Sequence, residues 1–512
     1  MNQSSHDDES STASSLRAVS SVTVLSTIHL GLQFGLQMFV AWLYGAGPSV
    51  DAYVAAITLP AILSAVLCGP IPSAFVPVFA EKTQIGRREV TDRLVTQTQL
   101  LVLGVMGIFC IGLFVAAEFW VGLFFPGFDE GQAILSAELL RIVCWLTLLN
   151  SLTNFLYAVY QAHGEFARPP LASVLGIVFT LVLLAFGGRS WSIHGMAWSV
   201  ISGTGLTVLL LSPRLIVGWQ IGPIGEDAGL KRVLGLLWPL VLAGIYFRVE
   251  PIVDRYLASG LNTGGVARLG YAYRVANALA LLIPSGIIAV TFPTIALRAA
   301  ERNWTALQSE ISRSIRLLIV LTTPVIAAIV LFSTAIIHTL FEHGEFQPAD
   351  TSVVATLLQA YCGLIVGFGL SEVFARVLHA MQDVKTPVLC SFMALAIGVG
   401  LKFWFVPQYG LTAIPWVTSA AMLLNTMFLA GAVYSRFEKP QFGQGVLGTL
   451  VQSTIASTVA CIFASTIGNP FTPVRTVAAA GLGGAIYLGM MTVLRNEFLV
   501  PFWQTLRNRI AR

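Results

Sequence analysis

The sequence predicts an all-α polytopic membrane protein of about fourteen transmembrane helices, and three observations carry that reading. Hydrophobic residues fill 56% of the 512 positions and charged residues only 11%, with a mean hydropathy of +0.78. That is more apolar surface than a soluble core of this length could bury. Continuous apolar runs of membrane-crossing length recur between short polar connectors, without the alternation of barrel strands. Almost all of the 29 Lys and Arg gather at the ends of those runs or in the short connectors.

A helix needs about 20 apolar residues to cross a hydrocarbon core of about 30 Å. Residues 1-16 are Ser-rich and acidic and read as a disordered tail. The first span, 17-44, is too long for a secretory leader and lacks a clear small-residue cleavage site, so it reads as a signal anchor. Spans 52-80, 94-124, 134-161, 169-187 and 191-212 complete a first group of six. A second six follows at 230-258, 266-297, 315-340, 351-380, 387-406 and 410-434, and a last pair at 446-467 and 474-495. The longest connectors, 81-93, 213-229, 298-314 and 341-350, leave little room for a further domain.

Two stretches resemble each other at a distance of about 215 residues, the mark of a duplication. One runs from Leu43-Tyr44-Gly45-Ala46-Gly47 to Phe75-Val76-Pro77-Val78-Phe79-Ala80, the other from Tyr256-Leu257-Ala258-Ser259-Gly260 to Thr291-Phe292-Pro293-Thr294-Ile295-Ala296. The expected organisation is therefore a tail (1-16), an N-terminal six-helix lobe (17-212), a C-terminal six-helix lobe (213-440), and two additional helices with a basic tail (441-512). Two lobes of the same orientation can enclose a central cavity and rock to expose it to each side in turn.

Basic residues are retained in cytoplasmic connectors. With a cytoplasmic N terminus, twenty Lys and Arg fall inside, and only Arg189, Lys402 and Arg475 outside. This predicts a multi-pass protein of a bacterial inner membrane with both termini cytoplasmic. The net charge of +4 is accounted for by topology and gives no reason for a nucleic-acid partner. All six cysteines lie in predicted spans, so neither a disulfide framework nor a metal site is expected. His29, His163, His194, His338, His343 and His379 show no metalloprotease spacing, and no Gly-rich phosphate loop follows a strand. The expectation is a transporter without bond-making chemistry and without a cofactor, with coupling to the membrane potential or a cation left open.

Charges at membrane depth face a cavity or a partner. Arg248 and Arg255 share one helical face and Glu250 and Asp254 another, around Pro251; Arg268 and Arg274 follow in the next span; Glu372 and Arg376 form an i, i+4 pair. Five Arg against three acids suit an anion, and guanidinium forks match phosphate oxygens. Arg274, Arg248, Arg255, Arg268 and Arg376 are the candidate substrate-binding residues.

Several strings carry a family resemblance: Asp51-Ala52-Tyr53 with Pro60, Ser73-Ala74-Phe75-Val76-Pro77-Val78-Phe79-Ala80-Glu81, Leu340-Phe341-Glu342-His343-Gly344-Glu345-Phe346, and Gln382-Asp383-Val384-Lys385-Thr386-Pro387. Together they resemble the MurJ/MviN family of lipid II flippases, within the multidrug/oligosaccharidyl-lipid/polysaccharide exporter superfamily. The resemblance implies a V-shaped two-lobe fold, a cationic central cavity, and a groove for a polyprenyl tail formed by the last two spans. It makes Asp51, Pro60, Glu372, Gln382, Asp383 and Lys385 candidate gate or motif residues, and Arg274 matches an important Arg of span 8. Leu36 and Ser64 stand where the family carries arginines, and Asn277 and Glu372 where an acid and a Lys are common. The implied activity is translocation of a polyprenyl-diphosphate-linked saccharide for cell-envelope synthesis, with membrane lipids and envelope-biosynthesis enzymes as partners and a monomeric state. The cargo is lipid II or, as the eroded arginine set leans, an exopolysaccharide repeat unit; cation-coupled multidrug efflux is the third alternative.

Overall fold

The computed structural model describes residues 3-84, 88-187, 190-216, 228-261, 263-441, 443, 445-465 and 473-494, and all regular structure among them is helical. Eleven stretches are long and apolar enough to cross a membrane. One, Lys385–Tyr434, holds two helices joined by a 3-10 turn at Gly410–Thr412, which makes twelve, and with the helices Ala228–Ser259 and Pro473–Val493 the count is consistent with about fourteen spans. Packing divides the chain into two compact units, Met1–Ala267 and Arg268–Arg512.

The first unit contains α1 (Gln3–Tyr44), α2 (Pro48–Leu67), α3 (Ile71–Gln84), α4 (Arg88–Val115), α5 (Ala117–Phe124), α6 (Glu130–Val143), α7 (Trp145–Ala162), α8 (Arg168–Gly187), α9 (Ser192–Leu211), the short α10 (Pro213–Ile216) and α11 (Ala228–Ser259). Helix α1 extends back to Gln3, through residues whose composition reads as a tail. Its core is aromatic: Phe75 and Phe79 of α3 pack with Phe155 of α7, Leu94 and Met106 of α4 and Val233 of α11. Helices α8 and α9 cross where Gly176 meets Gly203; a Cβ on Gly176 would lie 2.6 Å from the Gly203 carbonyl oxygen and 2.1 Å from Thr207 Oγ1. Small residues let the backbones approach where lipid supplies no hydrophobic drive between helices.

Helix α12 (Gly265–Ala300) leads into the second unit, followed by α13 (Trp304–Phe341), α14 (Pro348–Ala360), α15 (Cys362–Ala380), α16 (Lys385–Tyr409), α17 (Ala413–Tyr434), α18 (Val446–Ser465) and α19 (Pro473–Val493). Ile311 and Ile315 of α13, Val373 and Val377 of α15, Cys390 of α16 and Leu429 and Val433 of α17 form its core. The last pair packs on α13 through Ala456, Ala460, Tyr487 and Met491 against Val320; the Tyr487 hydroxyl donates to the Val320 carbonyl at 2.7 Å.

Spans 52-80, 134-161 and 351-380 correspond to the apolar stretches Pro48–Gln84, Glu130–Ala162 and Pro348–Ala380, and each carries an internal break. Span 52-80 is two helices, because Pro70 supplies no amide and the Cys68 and Gly69 amides turn back onto the Ser64 carbonyl. Spans 134-161 and 351-380 are each broken, at Cys144 between α6 and α7 and at Tyr361 between α14 and α15, without a proline at either break. Lys402, assigned by charge counting to the outer side, lies inside α16 at 0% exposure. The six cysteines are all free thiols. Large apolar side chains cover the outside, Phe186 at 88% exposure among them, as a protein dissolved in hydrocarbon requires.

Candidate functional site

The charged cluster of α11 belongs to the first unit, since α11 packs there through Val233 and through a 2.7 Å pair between Arg232 and Glu81. The helix runs through Pro239 and Pro251. Arg248 is exposed and makes no ion pair with a described residue. Glu250 is half-buried and Asp254 buried. Arg255, half-buried, donates from Nη1 to Thr58 Oγ1 on α2 at 2.6 Å.

The other three arginines lie in the second unit. Arg268 Nε is 2.8 Å from Asp350 Oδ1, and the second Asp350 oxygen accepts from the Gln347 amide, closing the capping box at the start of α14. Arg268 is therefore held by an acid that the sequence count omitted. Arg376 Nη2 is 3.4 Å from Glu372 Oε2, the i, i+4 pair read from the sequence, and its guanidinium lies over the Phe292 ring at 5.7 Å. Arg274 is half-buried on α12. Arg268 is paired with Asp350, an acid beyond the three counted, so the positive surplus is smaller than the sequence count.

Asp51 is 1% exposed, and its carboxylate accepts from the Gly264 and Ala267 amides, both at 2.6 Å. Gly264 has φ +81°, and α12 begins at the next residue, so the carboxylate sits on a helix N-terminus whose amides have no intrahelical partner. The connection after α5 touches the same region: a Cβ on Gly127 would lie 2.1 Å from Gly260 Cα. Pro60 is buried inside α2, and Ser64 donates to the Pro60 carbonyl at 2.7 Å and faces the Thr147 carbonyl at 3.3 Å. The hydroxyl that stands at an expected arginine position is thus spent within the helix packing.

The turn before α16 is built on Asp383. Gln382 takes φ +62°, and the Asp383 carboxylate accepts from the Thr386 amide and hydroxyl and from Arg436 at the end of α17. Those Thr386 hydrogen bonds, with the Arg436 charge, hold its pKa below the ordinary carboxylate value. Lys385 is exposed and Pro387 buried. The first unit repeats this arrangement. Glu165, in the turn before α8, pairs with Arg214 just beyond α9 and with Arg168 at 2.9 Å, and the Arg214 hydrogen bond lowers its pKa. Sequence reasoning treated Arg214 and Arg436 only as retained topological charge. The available signal was that each closes a span pair opened by an acidic turn.

Among the described residues no group of His, Cys, Asp and Glu is arranged to hold a metal. The arrangement offers cationic side chains at membrane depth and backbone-held ties at helix ends.

A family model described as lipid II flippase MurJ matches residues 40–478. The chain is 26% identical over 427 residues to the lipid II flippase MurJ of Burkholderia cenocepacia, covering 81% of this chain and 82% of that protein. It is 24% identical over 521 residues to the probable lipid II flippase MurJ of Buchnera aphidicola, covering 96% and 99%. Among solved structures, a lipid II flippase MurJ in an inward closed conformation aligns with a TM-score of 0.80 over 93% of this chain and 99% of that one, at 18% identity. An inward-facing MATE-family multidrug resistance transporter of the MOP superfamily aligns at 0.68 over 80% and 97%, also at 18%. At that identity the solved structures bear on the fold alone.

Proposed function

The chain belongs to the MurJ family, and on that premise we propose that it translocates lipid II, a polyprenyl-diphosphate-linked saccharide, across the bacterial inner membrane for peptidoglycan synthesis. The family match over residues 40–478 carries this reading, because it runs through both compact units and so concerns the whole transporter. The protein is a carrier and makes or breaks no bond. The anionic head travels along polar groups at membrane depth while the prenyl tail stays in lipid, which avoids placing charge and sugar hydroxyls in hydrocarbon. The head-group contacts are Arg248 in the first unit, where Thr58 holds Arg255, and Arg274 in the second. Arg268 and Arg376 are positioning residues, committed to Asp350 and Glu372. Transport proceeds by alternating access. The carboxylate of Asp51 on the start of α12 is a tie that changes as the cavity opens. Both termini are cytoplasmic in this reading.

The test is complementation in a bacterium depleted of its own lipid II flippase, with membrane insertion confirmed. Robust growth is expected. Failure to grow, with loss of a secreted polysaccharide in the native knockout, would replace lipid II by an exopolysaccharide precursor.

A further inference from the structure

Between Ile28 and Leu43, helix α1 carries three polar side chains, His29, Gln33 and Gln37, among apolar residues, each four residues from the next. At 3.6 residues per turn they fall within an arc of about 80°. Val40, Ala41 and Tyr44 continue that arc toward the end of the helix. Val40 and Ala41 are buried there, and the Tyr44 hydroxyl donates to the Ser192 carbonyl at 2.9 Å. The polar stripe therefore prolongs the protein-facing side of α1, whereas Val24 and Ile28 on the opposite side are exposed. Yet the stripe itself is open: Gln33 is exposed, and His29 and Gln37 are half-buried. Gln33 lies about 16 Å from the Tyr44 end at 1.5 Å per residue, near the middle of a 30 Å core. Amides and imidazoles at that depth line a watered, ligand-accessible surface, because hydrocarbon leaves them unsatisfied.

The hydrogen-bonding inventory is mostly unspent. Gln33 Nε2 lies 3.0 Å from His29 Nε2. An amide nitrogen only donates, so the ring accepts there and a neutral imidazole carries its proton on Nδ1. That Nδ1 is buried without a partner among the described residues. The Gln33 carbonyl and the whole Gln37 amide make no hydrogen bond with a described residue. The set is neutral and offers donors and acceptors together. A diphosphate, which only accepts and is charged, calls for guanidinium forks instead. Hydroxyl and acetamido groups, which both donate and accept, match an amide stripe.

We infer that Gln33, positioned by His29, and Gln37 bind the uncharged saccharide portion of the cargo head, separately from the arginines that meet its diphosphate. The inference rests on the proposed reading that the cargo is a lipid-linked saccharide. The two glutamines contact ligand directly, and His29 positions Gln33 through Nε2.

The experiment compares full-length wild type with Gln33→Leu, Gln37→Leu and the double variant in lipid nanodiscs, titrated with lipid II and with a polyprenyl diphosphate lacking the saccharide. Leucine suits an apolar membrane helix, and Gln33→Asn with Gln37→Asn keeps the chemistry at shorter reach as a second pair. The double Leu variant is expected to lose about tenfold or more in lipid II affinity, from two or more neutral hydrogen bonds. Its affinity for the bare diphosphate lipid should be unchanged, and the Asn pair should fall between. Undiminished preference for lipid II in the double Leu variant overturns the stripe while leaving the proposed function standing. An equal loss for both lipids overturns the saccharide assignment. A wild-type chain that does not prefer lipid II removes the underlying reading and the stripe's role with it.

Discussion

Five arginines carry the charge of the candidate site, and their neighbours sort them into two kinds. Arg268 and Arg376 are bound to acids, and removing Arg268 would leave Asp350 uncompensated at 9% side-chain exposure. Arg268→Ala should therefore cost on the order of 2 kcal/mol of stability, read as a lowered melting temperature of the purified protein. Arg274→Ala should abolish transport at a nearly normal protein level, and Arg274→Lys should restore it only in part, since the fork geometry is lost; a fully active Ala variant would remove Arg274 from the site. Asp383 adds a pH dependence. Its folded pKa lies below the ordinary 3.8, so it stabilises the fold above that value and loses the contribution as pH falls through the lowered one. Melting followed from pH 6 to pH 3 should show the wild type losing stability below about 4, and Asp383→Asn should flatten that limb. The Glu372 and Arg376 pair was legible in sequence because i, i+4 spacing is local, whereas Arg268 and Asp350 stand 82 positions apart and no spacing rule joins them.

At the scale of elements, the helices were legible because hydrocarbon imposes a minimum apolar length, and the sequence repeats that length. The breaks at Cys144 and Tyr361 were not, because each keeps its hydrogen bonds locally. The Tyr361 amide is shared between the Leu357 and Leu358 carbonyls, and no proline marks the site. The crossing of α8 and α9 gives a direct test of packing. A methyl group on Gly176 or Gly203 meets backbone at 2.6 Å or less, so Gly176→Ala should separate the helices at a cost of about 1–3 kcal/mol. Heat-induced aggregation of the detergent-solubilised variant at lower temperature is the expected readout, and unchanged behaviour would show that the pair relaxes without strain.

For the whole molecule, the duplication visible as two short strings extends into architecture. Each unit contains a broken span, an acidic turn, and two helices closed by an arginine, Glu165 with Arg214 in one and Asp383 with Arg436 in the other. Strings of five and six residues registered the repeat, but the paired acids differ in type and neighbours and escaped it. Orientation is the property that the charge asymmetry predicts. Cysteine placed at Glu345 should react with a membrane-impermeant thiol reagent in whole cells, and cysteine at Arg302 should not; the reverse pattern would invert the protein in its membrane.

The carboxylate of Asp51 grips two main-chain amides, at Gly264 and Ala267. Any residue but proline supplies the amide at 267, so evolutionary drift there leaves the bond intact and leaves no correlated change at position 51. Methods that find contacts from covarying positions are blind to such a joint. Its genetic signature is asymmetric: intolerance at Asp51, and at the buried Ala267 a choice limited by side-chain size, with proline forbidden by the bond itself. Ala267→Pro lies in the first turn of α12, where proline is sterically accepted, and so would cut the bond while sparing the helix.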